Sequence, residues 1–407
     1  MEGPAATAAT TPDLVAMKQH FVSTFGAPPA DNPSARLHVI RAPGRVNLIG
    51  EHTDYNDGFV CPMAIEPQVL VICRSRTDGL VRLASTAFPG RVAELSINQK
   101  IQRIDAGPEK WTNYSRGIAA ELLAAGIPLT GMDALIENTL PVGGGLSSSA
   151  AIEVGTGLAL LTLSGESIDP MRLALLSQKA EHEYARVPVG LMDQMIIATA
   201  RQGHATLFDC RSHSRQFIPI DPNELRVVIV NSMVKHELSG GEYAERRRQC
   251  EEGVRFFHQQ NPAVKALRDV TPKQVEEARA GLDPTIFRRC RHVVTENART
   301  CEFGILLTQR RYEQAGQLMV HSHNSLRDDY QVSTPELDYL SEQAMTVKGV
   351  YGARMTGGGF GGCVVALAQP RSVDPLLAHL DQTYHARFNI HPTPYVTTAT
   401  AGASVLE

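Results

Sequence analysis

The sequence predicts an α+β fold. Short apolar runs typical of buried strands are intermixed with segments of helical periodicity, and they follow no strict alternation. There is no internal repeat and no long linker in the 407 residues. A chain of this length is expected to form two or three domains that share one or two sizeable cores.

Four segments are predicted to be strands because they are rich in Val, Ile and Leu or uniformly apolar. They are residues 37–41, 67–74, 225–231 and 363–368. The run 225–231 is apolar except for Arg226, which indicates a buried strand.

Helices are predicted where apolar spacing and start signals coincide. Asp169 followed by Pro170 is typical of a helix start, and residues 171–186 continue with helical spacing. Residues 242–260 form a polar helix with three consecutive arginines, Arg246 to Arg248. We interpret this triplet as a solvated helix face with acidic neighbours.

Composition and charge exclude several classes of protein. Hydrophobic residues make up 43% of the chain, charged residues 20%, and the formal net charge is −4. This balance gives no electrostatic reason to expect nucleic acid or a membrane as partner, although local groups could still hold a small anion. We therefore expect small-molecule partners and a monomer.

The compartment is inferred from the cysteines and from the chain start. Seven scattered cysteines form no C-x-x-C pair, which argues against a zinc site or a disulfide framework. Residues 1–12 are rich in Ala and Thr and lack the features of a signal peptide, and no apolar stretch is long enough for a membrane span. We expect a cytoplasmic protein with a flexible leader over residues 1–30.

The first of three glycine-rich clusters places several polar groups after a short apolar strand. Glu51, His52 and Asp54 lie within four residues. Such a concentration of donors and acceptors suits a ligand with several hydroxyl groups. A plain polar loop or half of a metal site fits the residues equally well.

The second cluster, PVGGGLSSSAA (residues 141–151), leads into an apolar helix over residues 150–163. Glycines allow close backbone approach, and the N-terminus of a helix favours a phosphate group. We favour a phosphate site over a simple serine cap. No lysine completes a Walker A loop, and the H-R-D and D-F-G motifs of protein kinases are absent.

The third cluster, MTGGGFGG (residues 355–362), contains a formal G-x-G-x-x-G. The dinucleotide motif follows a strand and opens a helix, whereas these glycines lead into the predicted strand 363–368. We therefore reject a dinucleotide-binding dehydrogenase. The loop could instead support a nucleotide or a substrate.

Two carboxylates are in unusual positions. Glu181 falls in the last turns of a predicted helix, where Lys179 and Arg186 could offset its charge or where it could hold Mg²⁺. Asp193 opens an apolar run, where an isolated Asp is most often a helix N-cap.

Six segments in this order resemble the GHMP kinases and, within them, the galactokinases. They are GRVNLIGEHTDY (44–55), PVGGGLSSSAA (141–151), VGLMDQ (189–194), GEYAERRRQCEE (241–252), SHNSLRDDY (322–330) and MTGGGFGG (355–362). The resemblance spans residues 41–362. Leu191 and Met195 depart from the family pattern by apolar substitutions only.

The resemblance implies a role for each matching residue. Asp193 would be the catalytic aspartate, with Arg45 as its partner. The sugar-binding residues would be Arg45, Glu51, His52, Asp54, Gly190, Asp193 and Tyr243. The ATP-binding residues would be Trp111, Tyr114, Pro141, Gly143, Gly144, Gly145, Leu146, Ser147, Ser148, Ser149 and Ala150. Ser149 and Glu181 would hold Mg²⁺.

The resemblance also implies a fold with two lobes. An N-terminal lobe over residues 31–210 would resemble ribosomal protein S5, and a C-terminal lobe over 211–407 would be ferredoxin-like. ATP and sugar would meet in the cleft between the lobes, and the expected activity is transfer of the γ-phosphate of ATP to the C1 hydroxyl of galactose.

Three other functions stay open from the sequence. An N-acetylgalactosamine kinase would differ only in the pocket around C2. A sensor that binds sugar and ATP without catalysis is disfavoured by the presence of Arg45, Glu181 and Asp193. A kinase for mevalonate or homoserine is disfavoured by the intact EHTDY segment (residues 51–55).

Overall fold

The structure is a computed structural model that describes residues 13–26, 36–141, 144–235 and 239–407. Helices and strands alternate irregularly along the chain. The strands are β1 (His38–Asn47), β2 (Phe59–Val60), β3 (Pro62–Arg76), β4 (Leu80–Ser85), β5 (Val92–Ser96), β6 (Gly131–Asn138), β7 (His204–Asp209), β8 (Arg215–Pro219), β9 (Arg226–Lys235), β10 (Val350–Thr356), β11 (Gly361–Ala368), β12 (Thr393–Thr397) and β13 (Ser404–Val405). The helices are α1 (Leu14–Phe25), α2 (Asn113–Ala124), α3 (Ser148–Leu163), α4 (Pro170–Ala180), α5 (Met192–Thr199), α6 (Ser239–Gln260), α7 (Pro272–Glu277), α8 (Pro284–Thr308), α9 (Tyr312–Ser325), α10 (Pro335–Met345) and α11 (Val373–Phe388).

Two sheets divide the molecule into two lobes. The N-terminal lobe has a six-stranded sheet in the order β13-β1-β3-β6-β4-β5, on which α3 packs. The C-terminal lobe has a four-stranded antiparallel sheet in the order β10-β11-β9-β12. Along the chain, helices lie between β9 and β10 and between β11 and β12, whereas β10 leads directly into β11. Together with the strand order, this connectivity is the ferredoxin-like arrangement. The predicted α+β fold of the GHMP kinases is therefore confirmed.

The C-terminal sheet is buried on both faces. Along β9, Val227 and Ile229 belong to the core that fills the N-terminal lobe, whereas Val228 and Val230 belong to the core beneath the C-terminal helices. This explains why residues 225–231 read as a continuous apolar run rather than as an alternating one. The two lobes thus share apolar surface and have no linker between them.

The flexible leader predicted for residues 1–30 is wrong for residues 14–25. The Asp13 side chain accepts hydrogen bonds from the backbone N–H groups of Val15 and Ala16 and so caps α1. Phe21 and Phe25 pack with β-strand residues of the N-terminal sheet in a small third core. Residues 1–12 lie outside the described part of the chain. The lobe boundary at 210/211 stays a prediction, and β13 returns residues 404–405 to the N-terminal sheet.

The helix predicted over residues 171–186 is interrupted. Its start is as expected, because Asp169 caps α4 and Pro170 is its first residue. The α-helix ends at Ala180, and a π turn, Glu181–Ala185, follows. A second π turn, Leu326–Tyr330, follows α9 in the C-terminal lobe. Such turns occur frequently at functional sites.

Candidate active site

Arg45 and Asp193 face each other in the cleft. Arg45 comes from β1, and its Nε and Nη2 atoms donate to the two carboxylate oxygens of Asp193 at 2.8 and 3.0 Å. This bidentate geometry is the strongest that an arginine and a carboxylate form. The Ser147 hydroxyl donates to the same carboxylate. Asp193 lies inside the first turn of α5, after the N-cap Leu191, so the N-cap interpretation of Asp193 is wrong.

The glycine-rich loop before α3 leaves the N-terminus of that helix open. Ser147 precedes the helix in a left-handed conformation (φ 63°) and forms no side-chain cap, because its hydroxyl is directed to Asp193. A simple serine cap is therefore wrong for Ser147. Arg45 links this loop to Asp193, because its Nη1 donates to the Gly145 carbonyl while its other nitrogens bind the Asp193 carboxylate. Among the predicted phosphate residues, this loop holds Pro141, Gly144, Gly145, Leu146, Ser147, Ser148, Ser149 and Ala150, whereas Gly143 lies outside the described residues.

The third glycine cluster packs against the second. A Cβ atom on Gly357 would lie 3.1 Å from the Gly145 carbonyl oxygen, and Gly357 has a φ of 86°, which favours glycine. The Cys363 thiol donates to the carbonyl of Gly144 at 2.9 Å. This loop therefore supports the second glycine-rich loop, and its residues Gly357 and Gly358 also line the cavity described next.

A cavity adjoins Asp193. Its lining includes the sugar-binding residues predicted from the sequence, namely Arg45, Glu51, His52, Asp54, Gly190, Asp193 and Tyr243. Val187, Val189 and Met192 complete the wall next to Gly190. The sequence analysis did not single out these apolar residues.

Asp54, Gly190 and Tyr243 meet at close range. A Cβ atom on Gly190 would lie 1.8 Å from an Asp54 carboxylate oxygen, so only glycine fits there beside Asp54 as placed. Burial, and secondarily the nearby charge of Asp193, raises the pKa of Asp54 to about 7. Burial raises the pKa of Tyr243 well above its usual value, so its phenol is a neutral donor.

Glu51 is buried and already saturated with partners. One carboxylate oxygen accepts from the Thr356 hydroxyl at 3.1 Å and from the Gly357 N–H at 2.7 Å, and the other accepts from the Asn47 amide at 2.8 Å. Arg354, which is fully buried, lies 3.4 Å from the first oxygen. Glu51 therefore joins β1 to the third glycine cluster, in addition to lining the cavity.

His52 is held by a chain of hydrogen bonds behind the cavity. Its Nε2 lies 3.2 Å from the Gly358 carbonyl, which can only accept, so Nε2 carries the proton and Nδ1 accepts from the Tyr55 hydroxyl at 2.7 Å. The Tyr55 and Tyr330 hydroxyls are 2.8 Å apart, and Tyr330 contacts the Cys250 thiol at 3.1 Å. Burial lowers the pKa of His52 to about 3, which keeps the imidazole neutral.

A group of buried carboxylates lies behind the start of α3. Glu181, which is 4% exposed, interacts with the Ser149 hydroxyl, and the Gln194 amide donates to Glu181 at 2.6 Å and to Glu153 at 3.1 Å. Burial and the neighbouring charge of Asp193 raise the pKa of Glu181 to about 7. One oxygen of Glu153 is buried without a hydrogen-bond partner.

Trp111 and Tyr114 lie at the start of α2, beside these carboxylates. The Trp111 ring stacks on Phe88 at 5.5 Å between centroids, with the planes 15° apart. Burial and the charges of Glu181 and Glu153 raise the pKa of Tyr114 to about 12. Phe88 was not predicted from the sequence, because no local pattern links it to Trp111.

Comparison with protein families gives three matches along the chain. A family model for the galactokinase galactose-binding signature matches residues 19–75, one for the GHMP kinase N-terminal domain matches residues 113–201, and one for the GHMP kinase C-terminal domain matches residues 305–386. Galactokinase of Bos taurus is 42% identical over 396 residues, covering 97% of this chain and 96% of its own. Galactokinase of Chloroflexus aggregans is 44% identical, covering 94% of this chain and 95% of its own.

The chain belongs to the galactokinase family. Among solved structures, that of Lactococcus lactis galactokinase complexed with galactose has a TM-score of 0.91 at 32% identity, and the match covers 96% of this chain and 99% of that one. A mevalonate kinase with a TM-score of 0.61 at 21% identity shares the fold alone. The resemblance predicted from the six motifs is thus confirmed.

No helix in the described residues combines the length and apolarity needed to cross a bilayer.

Two long-range contacts of this galactokinase-family chain were missed in the sequence. The arginines at 246–248 were interpreted as a solvated face, and this holds only for Arg248, which pairs with Glu245 and Glu252. Arg246 donates to the Tyr330 carbonyl at 2.8 Å, and Arg247 donates to the Pro188 carbonyl at 2.9 Å. The three arginines differ only in their position on the helix. The carbonyl partners of Arg246 and Arg247 lie far away in sequence, so no local pattern indicates them.

Proposed function

We propose that the protein transfers the γ-phosphoryl group of ATP to the C1 hydroxyl of galactose, giving galactose 1-phosphate and ADP. The observation that carries this proposal is the position of Asp193. Its carboxylate lines the cavity with the polar groups suited to a sugar, and it also accepts from Ser147 at the open N-terminus of α3. A hydroxyl bound in the cavity would therefore face a phosphoryl group bound at α3.

Phosphoryl transfer asks the protein mainly for alignment and for stabilisation of charge on the phosphoryl oxygens. Arg45 contributes to alignment and to charge stabilisation, because its guanidinium fixes the two carboxylate oxygens of Asp193 and also donates to the Gly145 carbonyl of the phosphate loop. Asp193 orients the sugar hydroxyl and accepts its proton late, once the bond to the leaving ADP is largely broken. The N–H groups of the α3 start supply fixed positive dipoles next to the phosphates.

Sugar recognition rests on the cavity wall formed by Asp54, Gly190 and Tyr243. A site built to bond hydroxyl groups rejects analogues that leave its buried polar groups unpaired. The two ring nitrogens of His52 already have protein partners, so His52 contributes to this wall chiefly through its ring and its fixed position. We propose that selectivity for galactose over glucose arises at Asp54.

ATP and Mg²⁺ are the proposed cosubstrate and cofactor. Ser149 and Glu181 fit the ion, because a hydroxyl and a buried carboxylate meet beside the phosphate loop and the repulsion between Glu181 and Asp193 would be relieved by a cation. When bound, the ion neutralises charge on the phosphate oxygens. Two protein ligands are enough for Mg²⁺, which keeps waters and phosphate oxygens around it. Trp111 and Tyr114 are proposed to line the adenine pocket.

The remaining expectations concern the setting of the reaction. We propose that the protein acts in the cytoplasm as a monomer and that its partners are ATP and the sugar, with no nucleic acid or membrane involved. These proposals rest on the composition, the net charge and the scattered cysteines described above.

The proposed function is tested by ATP turnover of the purified protein with Mg²⁺ across galactose, N-acetylgalactosamine, glucose and no sugar. We expect ADP release that depends on galactose, with a sugar 1-phosphate as product. A preference for N-acetylgalactosamine would overturn the substrate, and galactose binding without turnover would overturn the enzyme activity in favour of a sensor.

A further inference from the structure

The cavity wall at residues 187–190 is a short loop whose carbonyl groups are held by side chains from two sides. From the N-terminal lobe, Gln178 and His182 donate to the Val189 carbonyl at 3.2 and 2.8 Å. From α6 of the C-terminal lobe, Arg247 donates to the Pro188 carbonyl at 2.9 Å. The contact of Arg247 therefore ties a loop of one lobe to a helix of the other.

Arg247 is well placed to hold this loop because it is itself anchored. Its Nε donates to Glu251, four residues further along α6, at 3.2 Å. Tyr243 lies four residues before Arg247, so both side chains project from the same face of the helix. That face meets the loop twice, since Tyr243 lines the cavity with Gly190 while Arg247 binds Pro188.

We propose that Arg247 is a positioning residue for the sugar: it fixes the loop 187–190 so that Gly190 stays against Asp54 and Tyr243. This inference rests on the proposed function, because it assigns the loop to galactose binding. Arg247 is not among the residues that line the cavity, and its effect passes through the Pro188 carbonyl. The phosphate loop is held by other groups, namely Arg45, Gly357 and Cys363.

The neighbouring Arg248 provides a matched control. It is the same residue type on the same helix, and it pairs with Glu245 and Glu252 on the exposed side. Replacing Arg248 removes the same charge and two surface ion pairs, which contribute little in solvent. Any effect of general charge or helix stability therefore appears in both variants, whereas a positioning effect appears in Arg247 variants alone.

The test compares the Arg247→Ala, Arg247→Lys and Arg248→Ala variants of the full chain by steady-state kinetics. For Arg247→Ala we expect the KM for galactose to rise about tenfold, the scale of one hydrogen bond from a charged donor, with kcat and the KM for ATP within about twofold of the parent. Arg247→Lys keeps a charged donor without the guanidinium fork and should recover part of the loss. Arg248→Ala should leave all three parameters unchanged.

Equal behaviour of Arg247→Ala and Arg248→Ala would overturn the proposal, as would a loss for Arg247→Ala that appears in thermal stability or in the KM for ATP but not in the KM for galactose. If the parent protein shows no turnover with galactose, the proposed function fails separately. Amide hydrogen exchange at Val189 and Gly190 then decides the positioning role: faster exchange in Arg247→Ala than in Arg248→Ala supports it, and equal exchange overturns it.

Discussion

The two π turns of the molecule are built alike and are held very differently. Each ends in a residue of left-handed conformation, Arg186 (φ 59°) or Gln331 (φ 56°), and a valine N–H then bonds back to the first residue of the turn. The second turn ends in buried residues: Tyr330 has no exposed surface, and the buried Asp329 pairs with Arg291. The first turn leads into an exposed residue, Val187, which is 37% exposed.

This difference gives the cavity one firmly held wall and one lightly held wall. The firm wall consists of His52 with Tyr55 and Tyr330 behind it, and it is anchored through buried hydrogen bonds. The light wall is the loop 187–190, where side chains donate two hydrogen bonds to the Val189 carbonyl and one to the Pro188 carbonyl. Low local stability is typical of segments that move when a ligand enters. We therefore expect substitutions at the light wall to alter sugar binding and those at the firm wall to alter chiefly stability.

The largest effect is expected at Asp193, which follows the light wall in sequence. Asp193→Asn keeps the size of the side chain but removes the acceptor for the sugar proton, so kcat should fall by at least ~10²-fold. Steady-state kinetics with saturating galactose and ATP measures this change. Near-normal turnover would remove Asp193 from the chemical step.

A substitution at Gly190 tests the light wall directly. Gly190→Ala would bring a Cβ atom to 1.8 Å from the Asp54 carboxylate, and overpacking of this kind costs about 1–3 kcal/mol. We expect kcat/KM for galactose to fall about 10- to 100-fold. Gly241→Ala is the control, since a Cβ atom there meets nothing within 4 Å. Equal kinetics for the two variants would contradict the described contact with Asp54.

Asp54 links sugar binding to pH-dependent stability. Its pKa is about 7 in the folded protein against 3.8 as its ordinary value, so the folded state binds more protons than the unfolded state between these limits. Folding must then protonate Asp54, so the free energy of unfolding falls progressively as pH rises from about 4 to about 7 and falls no further above that range, where the buried carboxylate is ionised. Asp54→Asn, which cannot ionise, should stabilise the sugar-free protein by at least about 1 kcal/mol at pH 8, since one pKa unit corresponds to ~1.4 kcal/mol.

The same variant should gain much less at pH 5, where Asp54 is already protonated in the folded state. Thermal unfolding at the two pH values measures the difference, and the exposed residue Asp105 supplies the control Asp105→Asn. A stability gain that does not grow with pH would show that Asp54 is not the group responsible. We expect activity to be lost in Asp54→Asn although the fold becomes more stable.

The smallest effect is expected at the firm wall. Tyr330→Phe removes one hydroxyl from the chain between Tyr55 and Cys250, and losing a buried hydrogen bond costs about 1–2 kcal/mol. Denaturant unfolding should show this loss, while the KM for galactose changes by less than about threefold. Tyr339→Phe is the matched control, because its hydroxyl makes only a long contact of 3.4 Å with Thr383. A KM increase as large as that of Gly190→Ala would abolish the distinction between the two walls.

The sequence predicted features that depend on local patterns. The Asp169–Pro170 start of α4 and the buried strand predicted at residues 225–231, which is part of β9, are of this kind, because capping and apolar runs act over a few residues. The π turns were not predictable, since the insertion of one residue after Ala180 does not change the apolar spacing visibly. Likewise, Asp193 reads locally as a cap, and only its pairing with Arg45, 148 residues away, places it in the cleft.

The candidate site shows the same limit. The polar cluster at residues 51–54 indicated a ligand with hydroxyl groups, but Thr356 and Gly357, which donate to one oxygen of Glu51, lie more than 300 positions later in the sequence. No local pattern separates Arg247, which binds Pro188, from Arg248, which faces solvent. The assignments that the sequence could make at these positions came from resemblance to the family rather than from periodicity or spacing.

The pairing of β13 with β1 also has a consequence for biosynthesis. Residues 404–407, which pair with residues 38–41, are translated about 360 residues after them. At ordinary elongation rates one edge of β1 stays without its partner for tens of seconds. Such an edge is a template for association with other chains until residues 404–407 have been translated.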